Sequence, residues 1–333
     1  MIWSPGKTLK NGLYTIESVL RERQLSVMYL ARTKKGDRVV IKTPNDAAIP
    51  RADFEKLQDR FYDEAWKLKD CQKSPYVARV EAPFKEDGYQ CIPMEYIDGT
   101  SLDLRNPDRL PEDEAVQYVR QVGEALGVIH AQGLIHRDVT PNNIMRRSRN
   151  NKLEAVLIDF GLARDFNLST SVTSTQKVTP FTAPELCLTK RDRGPFTDLY
   201  GLGAVLYALV TGMVPPMALD RKPDESDQLV FPAGVSEEIE QAIEAAMKWK
   251  SSSRPASVAE WLVTLPKVNE LEPQRIKSGP DWKKIERIAT LAMIFGGFQG
   301  IPALLTYLSQ LAQQQSDPIA APSVSPTASP KAK

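Results

Sequence analysis

Three short strings hold the residue types that chemistry on a phosphate needs. They are His136-Arg137-Asp138 with Asn143, then Asp159-Phe160-Gly161, then Ala183-Pro184-Glu185. Moving a phosphoryl group onto a hydroxyl asks for a carboxylate beside that hydroxyl and for hard oxygen donors that hold a metal beside the phosphates. Asp138 and Asn143 lie five residues apart, and Asp159 follows the apolar run Ala155-Val156-Leu157-Ile158. Taken singly, Asp138 is a turn or cap aspartate and Asn143 a turn amide. Their joint order and spacing argue against that plainer reading.

Such residues need elements to position them. Residues 13–80 read as strands broken by polar turns, then one helix. Tyr14 to Leu20 alternates, and Val27 to Arg32 and Arg38 to Lys42 continue the pattern around a Lys34-Lys35-Gly36-Asp37 turn. Phe54, Leu57, Phe61, Ala65 and Leu68 have helical spacing within Asp53 to Lys69. Helices dominate from Pro111 onward, starting with Glu114 to Ala131 and its apolar Val116, Val119, Ala125, Leu126 and Ile129. Strands first and helices second predict two lobes.

The 333 residues suffice for two lobes and tails, and 43 basic against 42 acidic side chains give no reason to expect nucleic acid as a partner. Cys71, Cys91 and Cys187 are too few and too scattered for a disulfide framework or a zinc signature. With only His130 and His136, a histidine-rich metal site is excluded. Met1 to Lys10 has no apolar h-region and does not read as a signal peptide.

On these motifs the chain resembles the eukaryotic-type (Hanks-type) Ser/Thr protein kinases of bacteria, over roughly residues 13–265. The resemblance implies an α+β, bilobal protein-kinase-like fold, with a small β-rich N-lobe at 13–94 and a larger helical C-lobe at 98–265. It makes Asp138 the residue that accepts or orients the proton of the substrate hydroxyl. Asn143 and Asp159 become magnesium ligands. Lys42, ending Val39-Val40-Ile41-Lys42, matches the strand lysine that meets the nucleotide, and Glu64 the helix glutamate that pairs with it. Met94-Glu95-Tyr96-Ile97 matches the connector whose backbone at Glu95 and Ile97 binds adenine, with Leu20, Met28, Val40 and Met145 around the ring. Ordinary core packing accounts equally well for the apolar members. Leu68, His136 and Phe160 match the stacked spine, Glu185 and Arg254 a buried ion pair, and Asp198 the brace of the catalytic loop. The implied cofactors are ATP and Mg2+, with Mn2+ as a substitute.

Two departures stand out. Arg21, Arg23 and Ser26 occupy the places where the family puts the glycines of its phosphate loop. Either the arginines meet phosphate directly, or they are solvated turn residues, which is the reading favoured from sequence; low nucleotide affinity is then expected. Thr140 stands where such kinases place a lysine, and Val178, or Thr179 with a one-residue gap, where they place the threonine that contacts it. Arg137 before the aspartate would receive a phosphorylated activation segment, whose candidates are Ser169, Thr170, Ser171, Thr173, Ser174 and Thr175.

Beyond a linker at 266–284, Ile288 to Gln315 carries no charge, and residues 288–308 suit a single membrane-spanning helix. Lys283, Lys284 and Arg287 just before it satisfy the positive-inside rule, which puts the kinase portion in the cytoplasm. Against a span stand Gln299, Pro302 and Gly296-Gly297. The alternative is an amphipathic or buried helix pair packed on the helical lobe of a cytoplasmic protein. Gly296 and Gly300 have a spacing that could pair two copies for trans-autophosphorylation. Residues 312–333 read as a Pro/Ala/Ser-rich disordered tail. The expectation is thus a membrane-tethered kinase acting on Ser/Thr of proteins; the rival readings are a nucleotide-binding pseudokinase or scaffold and a small-molecule kinase.

Overall fold

A computed structural model describes residues 3–47, 49–102, 109–160, 178–188, 193–221 and 229–267. Gly161, the Ser/Thr cluster at 169–175, most of the linker, the apolar segment at 288–308 and the tail lie outside the described residues. Among the described residues, no helix is long and apolar enough to cross a membrane.

The N-lobe is one antiparallel sheet in the order β1-β2-β3-β4-β6-β5. Its strands are β1 (Thr8–Leu9), β2 (Tyr14–Glu22), β3 (Ser26–Thr33), β4 (Arg38–Pro44), β5 (Phe84–Glu86) and β6 (Tyr89–Glu95), with helix α1 (Arg51–Asp70) between β4 and β5. Period-two alternation puts Tyr14, Ile16, Tyr29 and Ile41 inside. Gly36, at φ +95°, closes the β3–β4 turn where a side chain would be strained. Helix α1 buries Leu57, Phe61, Ala65 and Leu68, the stripe its spacing predicts; each of the large ones, taken from water, contributes about 1.5–3 kcal/mol. The segment before residue 13, set apart in sequence, joins the separate cluster of Tyr14, Ile16, Tyr29 and Ile41 through Trp3 and Leu9. The Trp3 ring packs edge-on to Tyr89 at 6.0 Å, and its Nε1 donates to Asp87 at 3.2 Å.

The C-lobe comprises β7 (Thr100–Ser101), α2 (Glu112–Ala131), β8 (Ile144–Arg149), β9 (Lys152–Leu157), α3 (Pro184–Cys187), α4 (Pro195–Thr211), α5 (Glu237–Ala246) and α6 (Val258–Thr264). Glu112, Asp113 and Glu114 fill the first turn of α2, where the helix dipole favours anions. Every residue of α4 from Thr197 to Thr211 is buried, so this helix is the lobe's centre rather than a surface helix. It ends at Gly212, φ +69°, whose amide donates to the Ala208 carbonyl at 3.0 Å.

One local device places the site. β8 and β9 form a hairpin in which Arg149 pairs with Lys152 and Ile144 with Leu157. Its two-residue turn, Asn150-Asn151, has φ of +51° and +61°, which asparagine tolerates and a mirror-image turn requires. Asn143, just before β8, and Asp159, just after β9, therefore emerge at the same end, and Ile158 donates its amide to the Asn143 carbonyl at 2.9 Å.

Candidate active site

Lys42 lies in mid-sheet, opposite Met28 on β3 and Ile92 on β6. Its ammonium reaches out of the N-lobe to Asp159 Oδ1 at 2.7 Å and to the Phe160 carbonyl at 2.8 Å. Both partners of this ion pair are buried, each side chain 4% exposed. Burial by itself would push the Asp159 carboxyl up. The charges of Lys42 and Arg23, the Lys42 hydrogen bond and the charge of Arg21 instead hold it well below the usual carboxylate range.

The loop carrying Asp138 is held from below. Asp198 on α4 accepts the backbone amides of His136 at 2.8 Å and Arg137 at 2.6 Å, and its Oδ2 lies 2.8 Å from His130 Nε2. Those bonds hold Arg137 at φ +63°, and Asp159 takes φ +56° across the site; both are left-handed conformations that non-glycine residues rarely adopt. His136 is fully buried, and desolvation outweighs the neighbouring carboxylates and pushes its pKa down. Its neutral ring accepts the Asp138 amide at Nδ1 (3.2 Å) and bonds the Ile158 carbonyl through Nε2 (3.1 Å). The ring also packs against Phe160, centroids 5.1 Å apart, and Phe160 lines a cavity with buried Leu68.

Asn143 donates through Nδ2 to the Asp138 carbonyl at 2.8 Å. Its Oδ1 is buried and, among the described residues, has no hydrogen-bond partner. An orphaned buried amide oxygen calls for an explanation, and a divalent cation supplies one. Asn143 Oδ1 with an ionised Asp159 offers the hard oxygens that magnesium or manganese prefers, so the residues fit such an ion.

Arg21 and Arg23 are not solvated turn residues. Arg21 Nη1 lies 3.1 Å from Asp159 Oδ2. Arg23 lies 3.4 Å from both Asp159 Oδ2 and Asp138 Oδ2. Sequence reasoning missed this contact, although two arginines at strand spacing where glycines are expected were its visible signal.

The remaining expected residues are placed as follows. Glu64 on α1 lies 3.9 Å from Arg60 and lines a cavity of about 190 Å³ with Leu68, Arg137 and Phe160, while the lysine meant for it sits on Asp159. Ile97 groups with Met145, Ala78 and Val156, whereas Val40 packs on the main core and Leu20 is 48% exposed. The Glu95 amide donates to the Arg79 carbonyl at 2.8 Å, and its side chain pairs with Arg147 at 2.9 Å. Thr179 is tied to Thr182, hydroxyl to hydroxyl at 3.0 Å, with Val178 partly exposed beside it. Glu185 and Arg254 form a fully buried bidentate pair at 2.8 and 3.0 Å.

Comparison with known proteins agrees with this geometry. The family described as "Protein kinase domain" matches residues 14–265. Serine/threonine-protein kinase pkn3 of Myxococcus xanthus is 28% identical over 302 residues, 83% of this chain and 53% of that protein. The probable serine/threonine-protein kinase zyg-1 of Caenorhabditis elegans is 32% identical over 193 residues, 57% of this chain and 26% of that protein. The chain thus spans about a quarter to a half of these curated relatives. Among solved structures, the PpkA-294 apo form aligns with TM-score 0.63 at 23% identity, covering 80% of this chain and 99% of its own. The PknI kinase domain of Mycobacterium tuberculosis aligns with TM-score 0.60 at 23% identity, covering 79% and 98%; at this identity the likeness is one of fold. Lobes, loop and family match agree, and the chain belongs to the protein kinase family.

Proposed function

We propose that this chain is a Ser/Thr protein kinase that moves the γ-phosphate of ATP to a protein hydroxyl, its own included. The observation that carries this reading is the meeting of Lys42, Asp138, Asn143 and Asp159 at one end of the β8–β9 hairpin. In it Asp138, on a loop fixed by Asp198, orients the substrate hydroxyl and takes its proton. Lys42 holds Asp159 in place and presents its charge to the phosphates. Asn143 Oδ1 and Asp159 would hold Mg2+ or Mn2+, which when bound neutralises phosphate charge. Purified protein incubated with labelled ATP and magnesium should label itself or a generic basic protein, and Asp138→Asn should not. Equal labelling by both would remove Asp138 from the chemistry.

A scaffold that binds nucleotide without transferring phosphate is the second reading, favoured by the arginines seated on both site carboxylates. It stands if wild type binds ATP but labels nothing.

We also propose that residues 288–308 tether a cytoplasmic kinase portion to a membrane and pair two copies for trans-autophosphorylation; the uncharged run and the basic residues before it support this. The full chain should pellet with membranes through an alkaline wash, whereas a version ending near Ser278 should stay in the supernatant. Pelleting by both would reject the tether.

A further inference from the structure

We propose that Arg21 and Arg23 form a phosphate clamp that lets the site take a nucleoside triphosphate before, and without, a divalent cation; the choice of ligand rests on the kinase reading above.

The clamp is built on a fixed turn. Arg21 stands opposite Met28 near the end of β2, beyond a register shift after Val19. Arg23 lies just past the end of β2, in the turn before β3, and its ion pairs bring it to the same carboxylate, Asp159, that Arg21 meets. The Arg23 amide donates to the Ser26 carbonyl at 2.8 Å. Asn45, buried just past β4, donates through Nδ2 to the Arg23 carbonyl at 2.8 Å and through its amide to the Leu25 carbonyl at 3.1 Å. The strand that carries Lys42 therefore also fixes the height of the arginine turn above the site.

The charge arrangement decides the order of binding. Among the described residues, Lys42, Arg21 and Arg23 converge on Asp159 and Asp138, three cations on two carboxylates. A divalent cation arriving alone meets a site already in positive excess, with both arginines on the oxygens it needs. A triphosphate arriving alone meets three donors of the right sign. Guanidinium forks suit phosphate oxygens better than single carboxylate oxygens at 3.1 and 3.4 Å. The arginine side chains are 37% and 41% exposed and have room to turn, while Asp159 and Asp138 are 4% and 11% exposed and stay. Once the arginines move to phosphate, Asp159 and Asn143 Oδ1 are left for the metal. Side-chain forks thus do here what glycine-loop amides do elsewhere.

The test measures binding, not turnover. ATP is titrated against the full chain in EDTA and in Mg2+, for wild type, R21A/R23A and R21Q/R23Q, with circular dichroism to check each fold. Wild type should bind ATP in EDTA, and both double variants should lose about tenfold or more there, the scale of losing charge-assisted bonds. Mn2+ without nucleotide, followed by its paramagnetic signal, should bind the double variants more tightly than wild type. No ATP binding by wild type in EDTA would overturn the clamp. So would equal or tighter ATP binding by the folded double variants, which would make the arginines only a cover over the carboxylates. The two readings separate cleanly. Phosphotransfer with arginine-independent binding leaves the kinase and removes the clamp; arginine-dependent, metal-free binding without phosphotransfer does the reverse.

Discussion

The Asp198 carboxylate accepts the Arg137 backbone amide at 2.6 Å, and through that bond helix α4 fixes the loop that presents Asp138. Asp198→Ala would strand this amide, that of His136 and the His130 ring. Each buried donor left unmet costs about 1–3 kcal/mol, so the unfolding midpoint in urea should fall clearly. Hydrogen exchange at residues 136 and 137 should quicken while α4 stays protected. Unchanged exchange there would mean that other contacts hold the loop.

Arg254 is a heavily tied cation of the C-lobe. Besides Glu185 it donates to the carbonyls of Lys248, Trp249 and Phe196, and its guanidinium lies 4.9 Å from the Tyr200 ring centre. Arg254→Met leaves the Glu185 carboxylate buried and uncompensated, a loss of about 3–5 kcal/mol. Adding Glu185→Gln should recover part of it in a double-mutant cycle. Arg254→Lys should rescue little, because an ammonium lacks the planar fork. Full rescue by lysine would show that charge alone matters.

Gly201 lets α4 approach the catalytic loop. A Cβ there would stand 2.9 Å from the Val139 carbonyl oxygen and 3.0 Å from Val139 Cβ. Gly201→Ala should therefore cost about 1–3 kcal/mol by overpacking. Because Val139 follows Asp138, it should also lower kcat more than it changes KM for ATP. A drop in stability with untouched kcat would place the strain on α4 instead.

Trp3 ties the first residues to the sheet. Trp3→Ala should destabilise the N-lobe by about 3–5 kcal/mol, as large aromatic truncations in cores do. Thermal unfolding followed by near-ultraviolet circular dichroism measures it. A wild-type midpoint would make the segment a passive cover.

Much of this was legible in the strings themselves. Asp138, Asn143 and Asp159 sit close together in sequence, and the hairpin that joins two of them has its turn chemistry written as Asn150-Asn151. The apolar stripe of α1 was readable because helical spacing alone defines it. Side-chain reach across the cleft was not. Arg21 meets a residue 138 positions away, and no local pattern reports a rotamer. The partner of Lys42 is a choice between two carboxylates that only packing makes. Trp3 was hidden because a lone aromatic in a polar segment carries no period.

Arg137 and Asp159, both with left-handed backbones, set a limit on engineering. Each conformation costs an L residue roughly 1–2 kcal/mol, a sum the surrounding contacts hold in place. Libraries selected only for heat resistance would drift toward glycine or asparagine at these positions, relaxing the backbone while discarding the Asp159 carboxylate on which Lys42, Arg21 and Arg23 meet.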